Sequence, residues 1–156
     1  MPRLQEGEVC RRIKPVDLAP VLGVLGTVSY FRSGHSGKYA ADVAIKGQLP
    51  RAVDEFVERL ELGGDVARLV LRKLAPRQSI PPHVDDWMPK EADWRRFQVP
   101  LISDPRIRMR WPDDGVEEHL QPGWLYEVRF DRLHEVVNEG DCERVHLQID
   151  QVNATI

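Results

Sequence analysis

From residue 66 onward the chain is cut into short β-type runs by proline and glycine, and this constrains its fold more than any other feature. The runs are residues 66–74, 96–103, 105–111, 124–130 and a final pair, 128–137 and 143–149. Pro76, Pro89, Asp113-Asp114-Gly115 and Gln121-Pro122-Gly123 separate them. Several of these runs alternate in polarity, which is the period of a strand with one buried face. Ile107, Met109 and Trp111 alternate with Arg106, Arg108 and Arg110; Trp124, Tyr126, Val128 and Phe130 alternate with Leu125, Glu127 and Arg129. Many short strands with such turns predict a sandwich or barrel, of which the jelly roll is one solution.

The first 65 residues read differently. Val53, Phe56, Val57 and Leu60 recur at helical spacing and predict a helix over 50–61, with Pro50 in its first turn and Gly63 as its C-terminal cap. Such a helix packs on the outside of a sheet. Asp17 is placed to cap a short helical segment over 18–25, limited by Pro20 and Gly23. Gly34-His35-Ser36-Gly37-Lys38 lacks the spacing of a phosphate-binding loop and reads as a plain loop. The expected organisation is one domain over 1–156, with 1–65 as helical or irregular support and 66–150 as the β core.

Within the β region, His83-Val84-Asp85 has the residue types of a mononuclear metal site. Pro81 and Pro82 disfavour helix before it. In an extended segment alternate side chains share a face, so His83 and Asp85 point toward one ion. A second histidine, His134, and then Arg144 follow downstream. Two imidazoles and one carboxylate occupy one face of a ferrous ion and leave the other open for a cosubstrate and oxygen. If that cosubstrate is 2-oxoglutarate, its far carboxylate needs a fixed cation, and arginine offers a bidentate fork.

The segment Asn138-Glu139-Gly140 reads as a three-residue hairpin loop with only Gly140 in the left-handed region; a two-residue turn would force Glu139 to positive φ. In that register His134 stands opposite Arg144, so one hairpin carries both a metal ligand and the clamp. Cys142 then faces the same interior as a small core residue.

These segments resemble a known family. Ile80-Pro-Pro-His83-Val-Asp85, Arg96-Phe-Gln-Val-Pro100-Leu101, Gln121-Pro-Gly123, and Leu133-His134 through Asp150 are similar to the aspartyl/asparaginyl β-hydroxylases. The similarity spans about residues 66–150 and is most specific from His134 to Asp150. It implies a double-stranded β-helix (jelly-roll, cupin-like) fold, mainly β with a few flanking helices. It also implies an iron(II)- and 2-oxoglutarate-dependent dioxygenase that hydroxylates an unactivated C–H of an Asp or Asn side chain in a peptide, or of a free amino acid. His83, Asp85 and His134 would hold iron, Arg144 would bind the far carboxylate of 2-oxoglutarate, and Arg96 would help hold the cosubstrate. Two positions depart from the family. Gln98 stands where it often has histidine; it can bond a carboxylate but carries no charge. Asp131 stands about where asparagine often precedes the distal histidine.

Composition narrows the partners. A net charge of −3 implies no general attraction to nucleic acid or anionic membranes. Arg68, Arg72, Arg106, Arg108 and Arg110 are either a solvated arginine face or a local wall that attracts an acidic substrate. Two cysteines, Cys10 and Cys142, form neither a disulfide framework nor a zinc spacing. The residues after Met1 run straight into Glu6 and Glu8 with no apolar core, and the expected compartment is the cytoplasm. The expected partners are molecular oxygen and an amino-acid, peptide or protein substrate. Two other readings stay open: a cupin-like metalloenzyme that does not use 2-oxoglutarate, and a non-catalytic jelly-roll binding module. Trp87 and Trp94 flank the metal motif and are either pocket walls or packing.

Overall fold

The computed structural model describes residues 3–33, 41–86, 88 and 92–153. In chain order the elements are β1 (Cys10–Pro15), α1 (Ala19–Leu22), β2 (Phe31–Ser33), β3 (Ala41–Ile45) and α2 (Arg51–Arg59). There follow β4 (Asp65–Leu74), β5 (Ser79–His83), β6 (Asp93–Ile102), β7 (Ile107–Trp111), β8 (Val116–Glu118), β9 (Trp124–Val128), β10 (His134–Asn138) and β11 (Arg144–Asn153). They form a seven-stranded sheet, β1-β9-β6-β11-β4-β3-β2, and a four-stranded sheet, β5-β10-β7-β8. From β4 onward the chain alternates between the two sheets, apart from the β7–β8 hairpin. That winding is a double-stranded β-helix, as the strand pattern and the resemblance imply.

The large sheet has two chemically distinct faces, written along β11. Val145, Leu147 and Ile149 join Leu69, Leu71, Phe97 and Val99 in an apolar cluster with Val53, Phe56 and Val57 of α2. Each such side chain contributes about 1.5–3 kcal/mol on burial, so α2 is held by its apolar stripe. The alternate residues of β11 (Arg144, His146, Gln148 and Asp150) are also buried, on the face turned to the second sheet. Between the sheets lies a second apolar cluster of Leu74, Ile80, Met109, Trp111, Tyr126, Val128 and Val136. The interior is therefore apolar on one side and polar on the other.

The structure departs from the sequence reading in several places. The N-terminal part is not merely irregular support: β1 pairs with β9 and β3 with β4, extending the large sheet at both edges. Helix α2 is shorter than 50–61, and the first left-handed residue after it is Glu61 (φ 52), with Gly63 (φ 83) left-handed two positions further on. Asp17 Oδ1 accepts from the Ala19 N–H at 3.0 Å, but the N-cap position is Leu18, which has no side-chain cap; the helix closes at Leu22 and a separate 3-10 turn follows over Leu25–Thr27. The 34–38 loop, Trp87 and Pro89 lie outside the described residues.

The largest departure is at the C-terminal pair. β10 and β11 form no ladder with each other among the described residues; β10 pairs with β5 and β7, and β11 with β4 and β6. The expected strand over 128–137 breaks between β9 and β10 as the chain changes sheets. Gly140 is not left-handed. Its N–H donates to Asn138 Oδ1 at 2.9 Å, while Asn138 Nδ2 donates to the carbonyls of Ala75 and Cys142 at 3.1 and 2.9 Å. A Cβ at Gly140 would lie 2.4 Å from Asp104 Oδ2, so a larger residue there would have to displace the Asp104 carboxylate; close approach rather than φ favours glycine. Cys142 sits in this turn with its Sγ 3.5 Å from Asp104 Oδ2, not facing the interior. No described helix is long and apolar enough to cross a membrane.

Candidate metal and cosubstrate site

β5 is an edge strand of the small sheet and ends at His83. Cross-strand pairing sets His134, the first residue of β10, directly against His83. Their rings are 4.3 Å apart between centroids. Asp85 follows β5, its N–H donating to the Phe130 carbonyl at 3.0 Å, which turns its carboxylate onto the histidines. His83 Nε2 lies 3.6 Å from Asp85 Oδ1 and His134 Nε2 lies 3.5 Å from Asp85 Oδ2. One ligand atom from each of His83, Asp85 and His134 lies within 4.8 Å of the others.

The protonation pattern suits a cation. His83 Nδ1 lies 2.8 Å from the Pro81 carbonyl and His134 Nδ1 2.7 Å from the Arg132 carbonyl. A carbonyl only accepts, so each Nδ1 carries the proton and each Nε2 keeps its lone pair for the centre. Burial also lowers the His83 pKa, with the neighbouring His134 adding to it, against an opposing hydrogen bond to Pro81. Burial alone would raise the Asp85 carboxyl; the neighbouring His134 ring and the Arg96 guanidinium, which donates to it, reverse this and hold it well below the usual carboxylate range. Two imidazole rings and an ionised carboxylate therefore converge, a donor set that suits a mononuclear ferrous ion.

Arg96 braces this cluster. Its Nη1 donates to Asp85 Oδ2 at 2.6 Å, and its Nε and Nη2 donate to Asp150 at 2.7 and 3.1 Å. Burial would lower its pKa, but Asp150 and then Asp85 more than offset this. Sequence reasoning missed Asp150; its spacing of two from Gln148 on an alternating strand was the signal available.

Arg144 projects from β11 into the interior, 2% exposed. Its one hydrogen bond among the described residues is to Gln98 Oε1 at 3.4 Å. Burial, and then Arg72, push its pKa down to about 9. His146 is likewise buried, its Nδ1 2.7 Å from Gln98 Oε1 and its Nε2 without a partner. The exposed arginines do not form an open positive wall. Arg106 pairs with Asp141 at 3.1 Å and Arg110 with Glu117 at 3.3 Å. Arg108 also reaches Glu117, at 3.5 Å. Trp94 lines a surface cleft with Arg96 and Phe130.

A double-stranded β-helix with two histidines and a carboxylate gathered at one end of its interior defines the class of mononuclear non-haem oxygenases. The chain belongs to the aspartyl/asparaginyl beta-hydroxylase family, whose profile matches residues 43–154, and is a 2-oxoglutarate-dependent dioxygenase by that membership. Among solved structures it is similar to a prolyl-4-hydroxylase from Pseudomonas putida (15% identity, 94% of this chain and 93% of that one, TM-score 0.67). It is also similar to the viral collagen prolyl hydroxylase of Paramecium Bursaria Chlorella virus-1 (10% identity, 96% and 98%, TM-score 0.68). A third is SnoN, a non-heme alpha ketoglutarate dependent epimerase from nogalamycin biosynthesis (15% identity, 96% and 80%, TM-score 0.69). At these identities the likeness shows the fold. No curated protein matches the chain.

Proposed function

We propose that His83, Asp85 and His134 hold iron(II), that Arg144 binds the far carboxylate of 2-oxoglutarate, and that the substrate is an Asp or Asn side chain in a peptide, or a free amino acid. The observation that carries the reading is the pairing of a converged His/Asp/His cluster with Arg144, a buried guanidinium that has no carboxylate partner among the described residues. An uncompensated interior cation is costly unless a ligand supplies the counter-charge.

Iron with 2-oxoglutarate supplies the oxidation of an unactivated C–H; the chain supplies position and exclusion of water. The two backbone-bonded Nδ1 atoms orient the imidazoles. Arg96 holds one oxygen of Asp85 and leaves the other for the metal. Three of its five N–H donors are used on Asp150 and Asp85, and two remain for the cosubstrate. Gln98 accepts from Arg144 and so sets the angle of the clamp, a role that needs no charge.

The test is anaerobic titration of the apo-protein with iron(II) and then 2-oxoglutarate, following the weak visible charge-transfer band of the chelate. The band should require His134 and weaken in Arg144→Ala. Iron bound without a band would instead support a metalloenzyme that does not use 2-oxoglutarate. No metal binding would leave a jelly-roll binding module.

A further inference from the structure

Arg144 is not alone in lacking a counter-ion. Arg72, on β4, stands opposite His146 in the β4–β11 ladder, while Arg144 stands opposite Leu74. Directly paired residues share a face of the sheet, and so do residues two apart on one strand. Arg72 and Arg144 are therefore diagonal neighbours on the inner face. Arg72 forms no hydrogen bond or ion pair among the described residues, and its strongest electrostatic neighbours after burial are two more arginines, Arg96 and Arg68.

Its position along the interior is informative. Along the inner face of β11 the order is Arg144, His146, Gln148, Asp150, and Arg72 stands in register with His146. Asp150 holds Arg96, which in turn holds Asp85 of the His/Asp/His cluster. Arg72 is thus placed between Arg144 and the metal end, along the span that a dicarboxylate must cover. Beside both arginines is His146, whose buried Nε2 has no partner. Arg96 is neutralised by Asp150 and Asp85; nothing among the described residues neutralises Arg72 and Arg144 in the same way.

We propose that Arg72 is a second carboxylate-binding guanidinium, so that the far carboxylate of the cosubstrate is held by two arginines, Arg72 and Arg144, one for each oxygen. This rests on the 2-oxoglutarate reading above and deepens it. Two like charges side by side in an interior repel and are each partly desolvated; a carboxylate between them removes both penalties at once. The same arrangement selects against a 2-oxo acid with a neutral tail, which would leave both cations uncompensated.

The test is equilibrium binding to the full-length, manganese(II)-loaded protein without oxygen. Two ligands are compared: 2-oxoglutarate, and 2-oxovalerate, which has the same keto-acid end but no far carboxylate. Arg72→Gln should weaken 2-oxoglutarate roughly tenfold or more, the size of a charge-assisted hydrogen bond, and leave 2-oxovalerate unchanged. Arg72→Lys should recover part of the loss. Equal weakening of both acids would assign Arg72 to the fold or the metal end and overturn the proposal, as would no weakening of either. Melting of each apo variant separates loss of folding from loss of the contact. If the wild-type protein itself binds both acids alike, the 2-oxoglutarate reading fails, and the role of Arg72 falls with it.

Discussion

Replacing Arg144 by methionine should make the empty protein more stable and the ligand useless to it. The side chain is 2% exposed and makes one hydrogen bond, at 3.4 Å. Burial, then repulsion from Arg72, lower its pKa from 12.5 to about 9, which corresponds to a ceiling of about 5 kcal/mol against the charged form. Local relaxation and water reduce that figure. Replacing uncompensated buried charge with an apolar side chain of similar length typically returns about 1–3 kcal/mol. For a chain of this size that raises the melting temperature by about 3–10 °C. The assay is calorimetric or urea unfolding of the metal-free proteins, repeated with manganese(II) and 2-oxoglutarate. At a ligand concentration of about 100 times Kd the wild type should gain about 2.7 kcal/mol, and Arg144→Met almost nothing. The order of stability then reverses between the two conditions. An apo variant less stable than wild type would refute the reasoning, because it would mean that the guanidinium has a structural partner. So would equal ligand stabilisation of both proteins.

Two further outcomes are expected. His146 is buried, and burial, followed by Arg144, holds its pKa well below 6.5. The unfolded chain then binds more protons than the folded one below about pH 6.5, so apo stability falls as the pH drops from there toward 5. Urea unfolding of His146→Leu should show a shallower slope over that window than wild type, and parallel slopes would count against it. Asp150→Asn removes the charge that orients Arg96 on Asp85. Iron(II) affinity should drop about 10–100-fold with the circular dichroism spectrum retained; unchanged affinity would show that Arg96 holds Asp85 unaided.

What could be read in advance divides along a physical line. Features encoded over a few residues came through: the Ile107/Met109/Trp111 alternation, the α2 stripe, and the extended run that brings His83 and Asp85 together. Long-range pairing did not. The β10 sequence alternates equally well beside β11 or beside β5 and β7, and the Asn138-Glu139-Gly140 segment has the composition of a hairpin loop. The choice between them is made by contacts remote in sequence, the Asn138 amide on the Ala75 carbonyl and the Asp104 carboxylate against Gly140. His134 and Arg144 still reach one interior, but from opposite sheets. The same limit hid Asp150 behind Arg96, and Arg72 beside Arg144, since neither neighbour is near in sequence. It also hid β1 to β3, whose short strands become legible only once β4 and β9 are present to pair with them.

The placement of a metal ligand on β5 has a consequence for how molecules of this protein meet one another. The outer margin of a sheet exposes unpaired backbone groups that invite a strand from another chain. Consecutive backbone donors on a strand point in opposite directions, and β5 carries proline at both Pro81 and Pro82. One missing donor falls on the side of β10, where the ladder shifts register between His134 and Val136. The other falls on the free side, where a recruited strand would have needed it. The margin that carries His83 is thus a poor template for intermolecular pairing, and it stays unzipped while many copies crowd together.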